Sequence, residues 1–338
     1  MKAFLINGKL DGAVTNIPTP EPSEGEVRIR ISHIGICGSD LHYYFDGANG
    51  AFVVKEPLIP GHELSGVVDL DPSGEFTSGQ KVTLHPATFG QCEPGLEGMP
   101  HLWPGGGYLG SASTWPHTQG AMSEYFIAKK SMIRVLPPSI SLELAALAEP
   151  LGVALHAINV GDGVKDKRVL VSGSGPIGLM VIAAAKVLGA KSITATDVLQ
   201  PALDRAQELG ATETINVKES EIPANSYDIV FECSAAAPAI SAALVAVRRA
   251  GIVVQVGMLG AAPASIAFAP LVVKEIQIRG TFRFNNEVSD AIVMLSENPW
   301  IGKAISHTFS IEEAVSAFEI AIDSARSGKV LVKLADIS

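Results

Sequence analysis

The stretch that most limits what this chain can fold into runs from Arg168 to Gly178. Arg168-Val169-Leu170-Val171 has strand character, Gly173-Ser174-Gly175-Pro176-Ile177-Gly178 follows it, and small and apolar residues suited to a helix continue from Ile177 to Leu188. A strand that passes through a glycine-rich turn into a helix opens a βαβ unit. The glycines permit a tight turn, close backbone approach to a ligand and close packing of helix on strand, while the helix N-terminus presents free N–H groups and a positive dipole. Those properties suit a pyrophosphate, so Gly173, Gly175, Pro176, Ile177 and Gly178 read as dinucleotide-binding residues. Asp197 ends the next strand, where a carboxylate would accept hydrogen bonds from the adenosine ribose hydroxyls and repel a 2′-phosphate. NAD is therefore expected over NADP. Arg205, on the following helix, is the residue that could soften this preference.

Around this unit the rhythm is regular. Strands are expected at Ser192 to Thr196, Tyr227 to Phe231, Ile252 to Val256 and Ile276 to Arg279, alternating with helices at Pro201 to Leu209 and Ala239 to Arg249. Such alternation builds an α/β, doubly wound parallel sheet. The N-terminal part reads differently. Short runs such as Val27-Arg28-Ile29-Arg30-Ile31, with strict period-two alternation, Ser65 to Val68 and Lys81 to Leu84 are punctuated by Pro18, Pro20, Pro22, Pro57 and Pro60, which describes a β-rich barrel or sandwich. Gly90 to Gly110 is dense in Gly and Pro and is expected to be an excursion loop. Towards the end, Ser310 and Glu313 have capping-box spacing at the start of a helix, and Val330-Leu331-Val332 makes a final strand. That tail is too short to fold alone and is expected to return to the first domain.

Composition narrows the function classes. A chain of 338 residues with a net charge of −10 and no cluster of Lys and Arg is not built to neutralise phosphates, so a nucleic-acid partner is not expected. The longest apolar runs, Leu179 to Ala185 and Ala242 to Val247, stop at Lys186 and at Arg248-Arg249, far short of the ~20 residues of a membrane span. No signal peptide is visible after Met1, and only three Cys occur, at positions 37, 92 and 233. A reducing, cytoplasmic compartment is the expectation.

A second cluster carries chemistry. Cys37, Ser39, Asp40 and His42 lie in one short segment, His62 and Glu63 follow some twenty residues later, and Glu149 stands in Ala148-Glu149-Pro150. A thiolate, an imidazole and carboxylates from separate segments are the ligands of a catalytic zinc with an open position, whereas structural zincs cluster their cysteines. Asp40 could orient a ligating His, and the Ser39 hydroxyl could pass a proton to His42 and on to solvent. Taken singly these residues mean little, since a lone Cys is usually a small buried hydrophobe and most acids are solvated. The expected arrangement sets this site facing the dinucleotide across a cleft.

With Pro60-Gly61-His62-Glu63, Ala148-Glu149-Pro150-Leu151, Phe231-Glu232-Cys233 and Phe282-Arg283-Phe284 added, the sequence resembles the zinc-dependent medium-chain dehydrogenase/reductases, and within them the polyol dehydrogenases. The resemblance covers nearly the whole chain. It implies a GroES-like catalytic domain over 1–145, completed by 284–338, and a Rossmann NAD-binding domain over 146–283. It also implies Cys37, His62 and Glu63 as zinc ligands, with Glu149 binding zinc or holding its water, and Ser39 and His42 as the proton relay. Arg283 becomes a substrate-side polar group, with His117 as another donor for a substrate carboxylate and Tyr43 with Tyr44 as pocket walls. The substrate class is a sugar acid, or alternatively a neutral polyol. A homodimer or homotetramer is implied, with Ile252 to Val256 and Met258 to Ile266 as a pairing edge. Relatives usually carry a second, structural zinc on four cysteines where this chain has Phe89 to Trp103 and only Cys92. One zinc is therefore expected, with the lobe packed by Phe89, Leu96, Leu102 and Trp103. A non-catalytic zinc- or nucleotide-binding protein and a zinc-free quinone reductase are the competing readings.

Overall fold

A computed structural model of the protein describes residues 1–260 and 262–337; Ala261 and Ser338 lie outside it. The chain divides into two compact units, one made of Met1–Glu149, Val288–Asp323 and Lys329–Ser338, the other of Pro150–Glu287 and Ser324–Gly328.

The first unit is β-rich and is organised around the strand Glu26–Gly35. Its alternation buries Val27, Ile29 and Ile31 completely, and it extends to Gly35 because it is paired on both sides. Glu63–Leu70 runs antiparallel along one flank; Tyr125–Lys129 and Lys329–Lys333 share the other. Lys81–Leu84, Ile133–Val135 and Ile305–Ser310 complete the seven-stranded sheet. The C-terminal strand thus lies in the middle of a sheet begun some 300 residues earlier, and it brings Lys329 to the end of the central strand. Ser310 and Glu313 form the capping box their spacing suggested, and Ala314–Ala321 is the helix that follows.

The second unit contains a six-stranded, wholly parallel sheet in the order Glu213–Asn216, Ser192–Asp197, Arg168–Ser172, Tyr227–Glu232, Val247–Gln255, Gln277–Gly280. Helices Pro176–Val187, Gln200–Glu208 and Ala237–Ala246 connect the strands. The doubly wound α/β class read from the sequence is the one observed.

Three expectations are corrected. The helix expected to reach Arg249 ends at Ala246, and Arg248 and Arg249 belong to the next strand. The reason is electrostatic, because Asp228 on the neighbouring strand bonds Arg248 Nε at 2.7 Å and Arg168 Nε at 3.0 Å. The stretch Ile252 to Val256 is also not an edge, since its strand is held on both sides; the edge strands of this sheet are Gln277–Gly280 and Glu213–Asn216. Met258 to Ile266, which includes Ala261 outside the described residues, forms no strand where it is described. Finally, the lobe from Phe89 to Trp103 is not apolar inside. Phe89 and Leu102 are 42% and 41% exposed, and backbone bonds such as Gln91 N to Pro104 O, with Trp103 Nε1 donating to Leu96 O at 2.7 Å, hold it instead. A tight loop with few apolar residues satisfies its own amides before it can bury side chains.

Candidate metal centre and dinucleotide site

Cys37 leaves the central strand and opens the helix Gly38–Asp46, while Glu63 begins the adjacent strand and His62 immediately precedes it. The potential ligand atoms of Cys37, His62 and Glu63 all lie within 4.8 Å of one another. Two zinc bonds laid end to end span about 4.4 Å, so one ion can touch all three after small side-chain adjustments. His62 is buried, and its Nδ1 has no hydrogen-bond partner among the described residues. A buried ring nitrogen left without a partner is costly, and a site completed by a cation removes that cost. The donor set of one sulfur, one imidazole and one carboxylate fits zinc with a position left open.

The surroundings hold these ligands rigidly. Asp40, fully buried, accepts from Cys37 N at 2.9 Å and from Gly61 N at 3.1 Å, so one carboxylate ties together the two segments that carry the ligands. It acts on the backbone rather than on the His62 ring, which differs from the role considered above. Burial raises the Asp40 pKa, opposed by His62 and these amides. At His62 burial disfavours the imidazolium, but the Cys37 sulfur beside it, with Asp40 and Glu149, raises its pKa to about 10. The Cys37 sulfur and the carboxylates around His62 thus favour positive charge beside them.

Two groups here were not legible in the sequence. Lys329, only 2% exposed, bonds both carboxylate oxygens of Glu63 at 2.7 Å and the Ile36 carbonyl at 3.0 Å. Burial lowers its pKa, but Glu63 and Cys37 outweigh that and raise it. Gly35 makes room for the pair, since a Cβ there would lie 2.1 Å from Glu63 Oε2. Tyr108, from the Gly-rich excursion, donates its hydroxyl hydrogen bond to Glu149 and stands edge-on to the His62 ring at 5.2 Å. Burial raises the Glu149 pKa, against His62 and the Tyr108 bond. The only sequence signal for Lys329 was a lysine opening an otherwise apolar buried strand.

The remaining candidates divide. Ser39 is partly buried on the first turn of the Gly38–Asp46 helix, and His42 is one turn on, exposed, its Nδ1 3.0 Å from Asp46 Oδ2. Tyr43 and Tyr44 are core residues rather than pocket walls. The Tyr43 hydroxyl accepts from Ala112 N at 3.0 Å and lies 3.3 Å from Ser111 Oγ. His117 is buried with Nε2 accepting from Lys55 N at 2.9 Å and Nδ1 3.0 Å from the Thr114 carbonyl. Both ring nitrogens are committed to backbone groups, so His117 has no donor to offer a substrate. Arg283, in the other unit, has φ of 53° and places its guanidinium 4.6 Å from the Phe282 ring centre.

In the second unit the glycine turn has the form a dinucleotide requires. Gly173 has φ of 92°, a Cβ on Gly178 would lie 2.0 Å from Gly173 O, and nothing lies within 4 Å of the same position at Gly175. The first two features demand glycine; the third leaves room where phosphate oxygens would sit. Pro176 and Ile177 start the helix. Asp197 accepts from Ser174 N at 2.8 Å, Val198 N at 2.7 Å and Leu199 N at 3.0 Å, which fixes its carboxylate beside the turn. Arg205 donates instead to the Ser324 carbonyl at 2.5 Å.

Comparison with known proteins places this geometry. Residues 23–138 match the family model for the alcohol dehydrogenase GroES-like domain, and residues 176–297 match that for zinc-binding dehydrogenase. L-Idonate 5-dehydrogenase (NAD(P)(+)) of Escherichia coli is 33% identical over 97% of both chains, and sorbitol dehydrogenase of Macaca fascicularis is 34% identical over 94% of this chain and 91% of its own. The crystal structure of the Escherichia coli L-idonate 5-dehydrogenase superposes with a TM-score of 0.93 at 32% identity, covering 98% of each chain. The chain belongs to the zinc-dependent medium-chain dehydrogenases, in their polyol dehydrogenase branch. It is an oxidoreductase of the alcohol and polyol dehydrogenase class, in a family that works with zinc and NAD(P).

Proposed function

We propose that the protein oxidises a secondary hydroxyl of a sugar acid with NAD, and that the substrate is L-idonate, giving 5-dehydrogluconate. The observation that carries the reading is the convergence of a half-buried Cys37 with buried His62 and Glu63, one imidazole nitrogen of which has no partner among the described residues. The choice of a sugar acid rests on likeness to the Escherichia coli L-idonate enzyme.

When bound, zinc supplies a Lewis acid that acidifies the substrate hydroxyl, and the nicotinamide supplies the hydride acceptor. The chain's own residues do the rest. Cys37, His62 and Glu63 hold the metal, with Asp40 fixing the backbone at Cys37 and at Gly61, next to His62, and Lys329 balancing the charge of Glu63. Glu149, steadied by Tyr108, binds the metal or its water. Ser39 takes the hydroxyl proton and His42, exposed one helical turn on, delivers it to solvent. Arg283 is the donor for a substrate carboxylate. Gly173, Gly175, Pro176, Ile177 and Gly178 hold the pyrophosphate, and Asp197 selects NAD over NADP. One zinc per chain, a cytoplasmic setting and a homodimer or homotetramer paired through the edge strand Gln277–Gly280 complete the proposal.

A neutral polyol such as sorbitol or xylitol is the second reading, supported by sorbitol dehydrogenases that match as well. Parallel measurement of kcat/KM on L-idonate and sorbitol with NAD, with the chelator-stripped protein as control, separates the two. The sugar-acid reading expects L-idonate to lead by at least about tenfold, and a lead for sorbitol would replace it.

A further inference from the structure

Glu232 is the last residue of the Tyr227–Glu232 strand and is completely buried. Its carboxylate meets donors alone. Oε1 accepts from Ser234 N at 2.8 Å and from the Ser234 hydroxyl; Oε2 accepts from Ala235 N at 3.2 Å and from Gln255 Nε2 at 2.6 Å. The Gln255 amide cannot turn round, because the same nitrogen donates to Gly257 O at 2.8 Å. A cradle made of donors takes the acceptor-only, ionised form. No Lys, Arg or His pairs with this carboxylate among the described residues, so the fold holds an isolated negative charge in its interior.

Burying such a charge is costly, and holding two turns together does not by itself call for it. Its position suggests what does. Ser172, Glu232 and Gln255 stand level with one another on three adjacent strands, at their C-terminal ends. Between the first two of these strands the order of the sheet reverses, and ligands of open parallel sheets bind at that point. The half of the sheet with Asp197 takes the adenosine, which leaves the Glu232 half for the nicotinamide nucleotide. The Ser234–Ala235 turn that Glu232 holds is wedged between two glycines: a Cβ on Gly173 would lie 2.8 Å from Ser234 N, and one on Gly257 would lie 2.5 Å from Ala235 N.

Resting on the dinucleotide reading above, we infer that the buried charge of Glu232 makes the site discriminate between the redox forms of its cofactor. It favours the oxidised form, whose nicotinamide is a cation, over the neutral reduced form. One buried charge near a bound cation would change its binding by roughly tenfold after screening. Glu232 touches no reacting atom in this scheme; it is a specificity-determining residue that acts through its field.

The test uses the full-length protein, with NADH titrated by its fluorescence and NAD⁺ by displacement of NADH. In Glu232→Gln, which keeps the shape and removes the charge, the Kd for NAD⁺ should rise about tenfold more than the Kd for NADH. Equal weakening of both, or no change in their ratio, would overturn the inference, since a merely structural clamp loses both alike. Glu232→Asp keeps the charge and should keep the wild-type ratio even if both affinities fall. A ratio moved tenfold in that variant overturns the inference whether or not Glu232→Gln folds. If the wild-type protein fails to bind NADH at all, the dinucleotide reading falls and this inference with it, a result distinct from either variant outcome.

Discussion

The metal centre and the dinucleotide turn are built from opposite materials. The centre in the first unit is made of side chains, with Cys37, His62, Glu63, Glu149 and Lys329 drawn from segments as much as 292 residues apart and packed around charge. The turn in the second unit is made of backbone and space: Gly173 with its positive φ, Gly178 with no room for a Cβ, and Gly175 open. A site made of side chains selects by charge and ligand type and fails abruptly when one group goes. A site made of backbone binds by shape and dipole, and side-chain changes tune it by degrees.

The sharpest way to break this comparison is Cys37→Ser. A hydroxyl is a poor zinc ligand where a thiolate stood, and changes even outside the ligand shell cost 10–100-fold. Turnover should fall by about a thousandfold or more and bound zinc should be lost, while NADH binding stays within about threefold of the wild type. Metal analysis and NADH fluorescence on the same sample check both halves. A variant that loses NADH affinity along with zinc would show that the two sites are not independent in construction.

Next in size is Lys329→Met. Lys329 and Glu63 form a buried ion pair at 2.7 Å, with the two side chains 3% and 0% exposed. Removing one partner leaves a buried carboxylate without its counter-charge, which costs about 3 kcal/mol or more. The metal-free variant should melt well below the metal-free wild type, and added zinc, by returning positive charge to the cavity, should recover much of that loss. Thermal unfolding with and without zinc measures it. If zinc stabilises the variant no more than the wild type, Glu63 answers to Lys329 alone and is not a metal ligand.

The same contrast explains how far the sequence could be read. The strand, glycine turn and helix were legible because their parts are contiguous and the glycines are needed for backbone reasons that hold in any context. The convergence of Cys37, His62 and Glu63, which could hold a metal, was legible as residue types in short segments. The groups that support them were not. Lys329 looks like the start of an ordinary strand, and Tyr108 like one more residue of a Gly-rich loop; only the pairing of Lys329–Lys333 with the central strand, and the fold of the excursion, bring them to Glu63 and Glu149. His117 was misjudged for the converse reason, since nothing local shows that Lys55 and Thr114 occupy its nitrogens. Tyr43 belongs to the core because Ala112 and Ser111, far along the chain, satisfy its hydroxyl.

The smallest effect expected is at Asp197, a charged side chain held beside the glycine turn. Three backbone amides hold its carboxylate, and Asn can keep part of that pattern while losing the charge. Asp197→Asn should therefore leave zinc content untouched and weaken NAD binding only a few-fold. Its main effect should be on selectivity: with the repulsion of a 2′-phosphate removed, the preference for NAD over NADP should narrow by about tenfold. The ratio of kcat/KM for the two cofactors reads this directly. A ratio that does not move would mean that the carboxylate serves the turn and not the ribose, and cofactor choice would then have to come from shape alone, like the rest of that site.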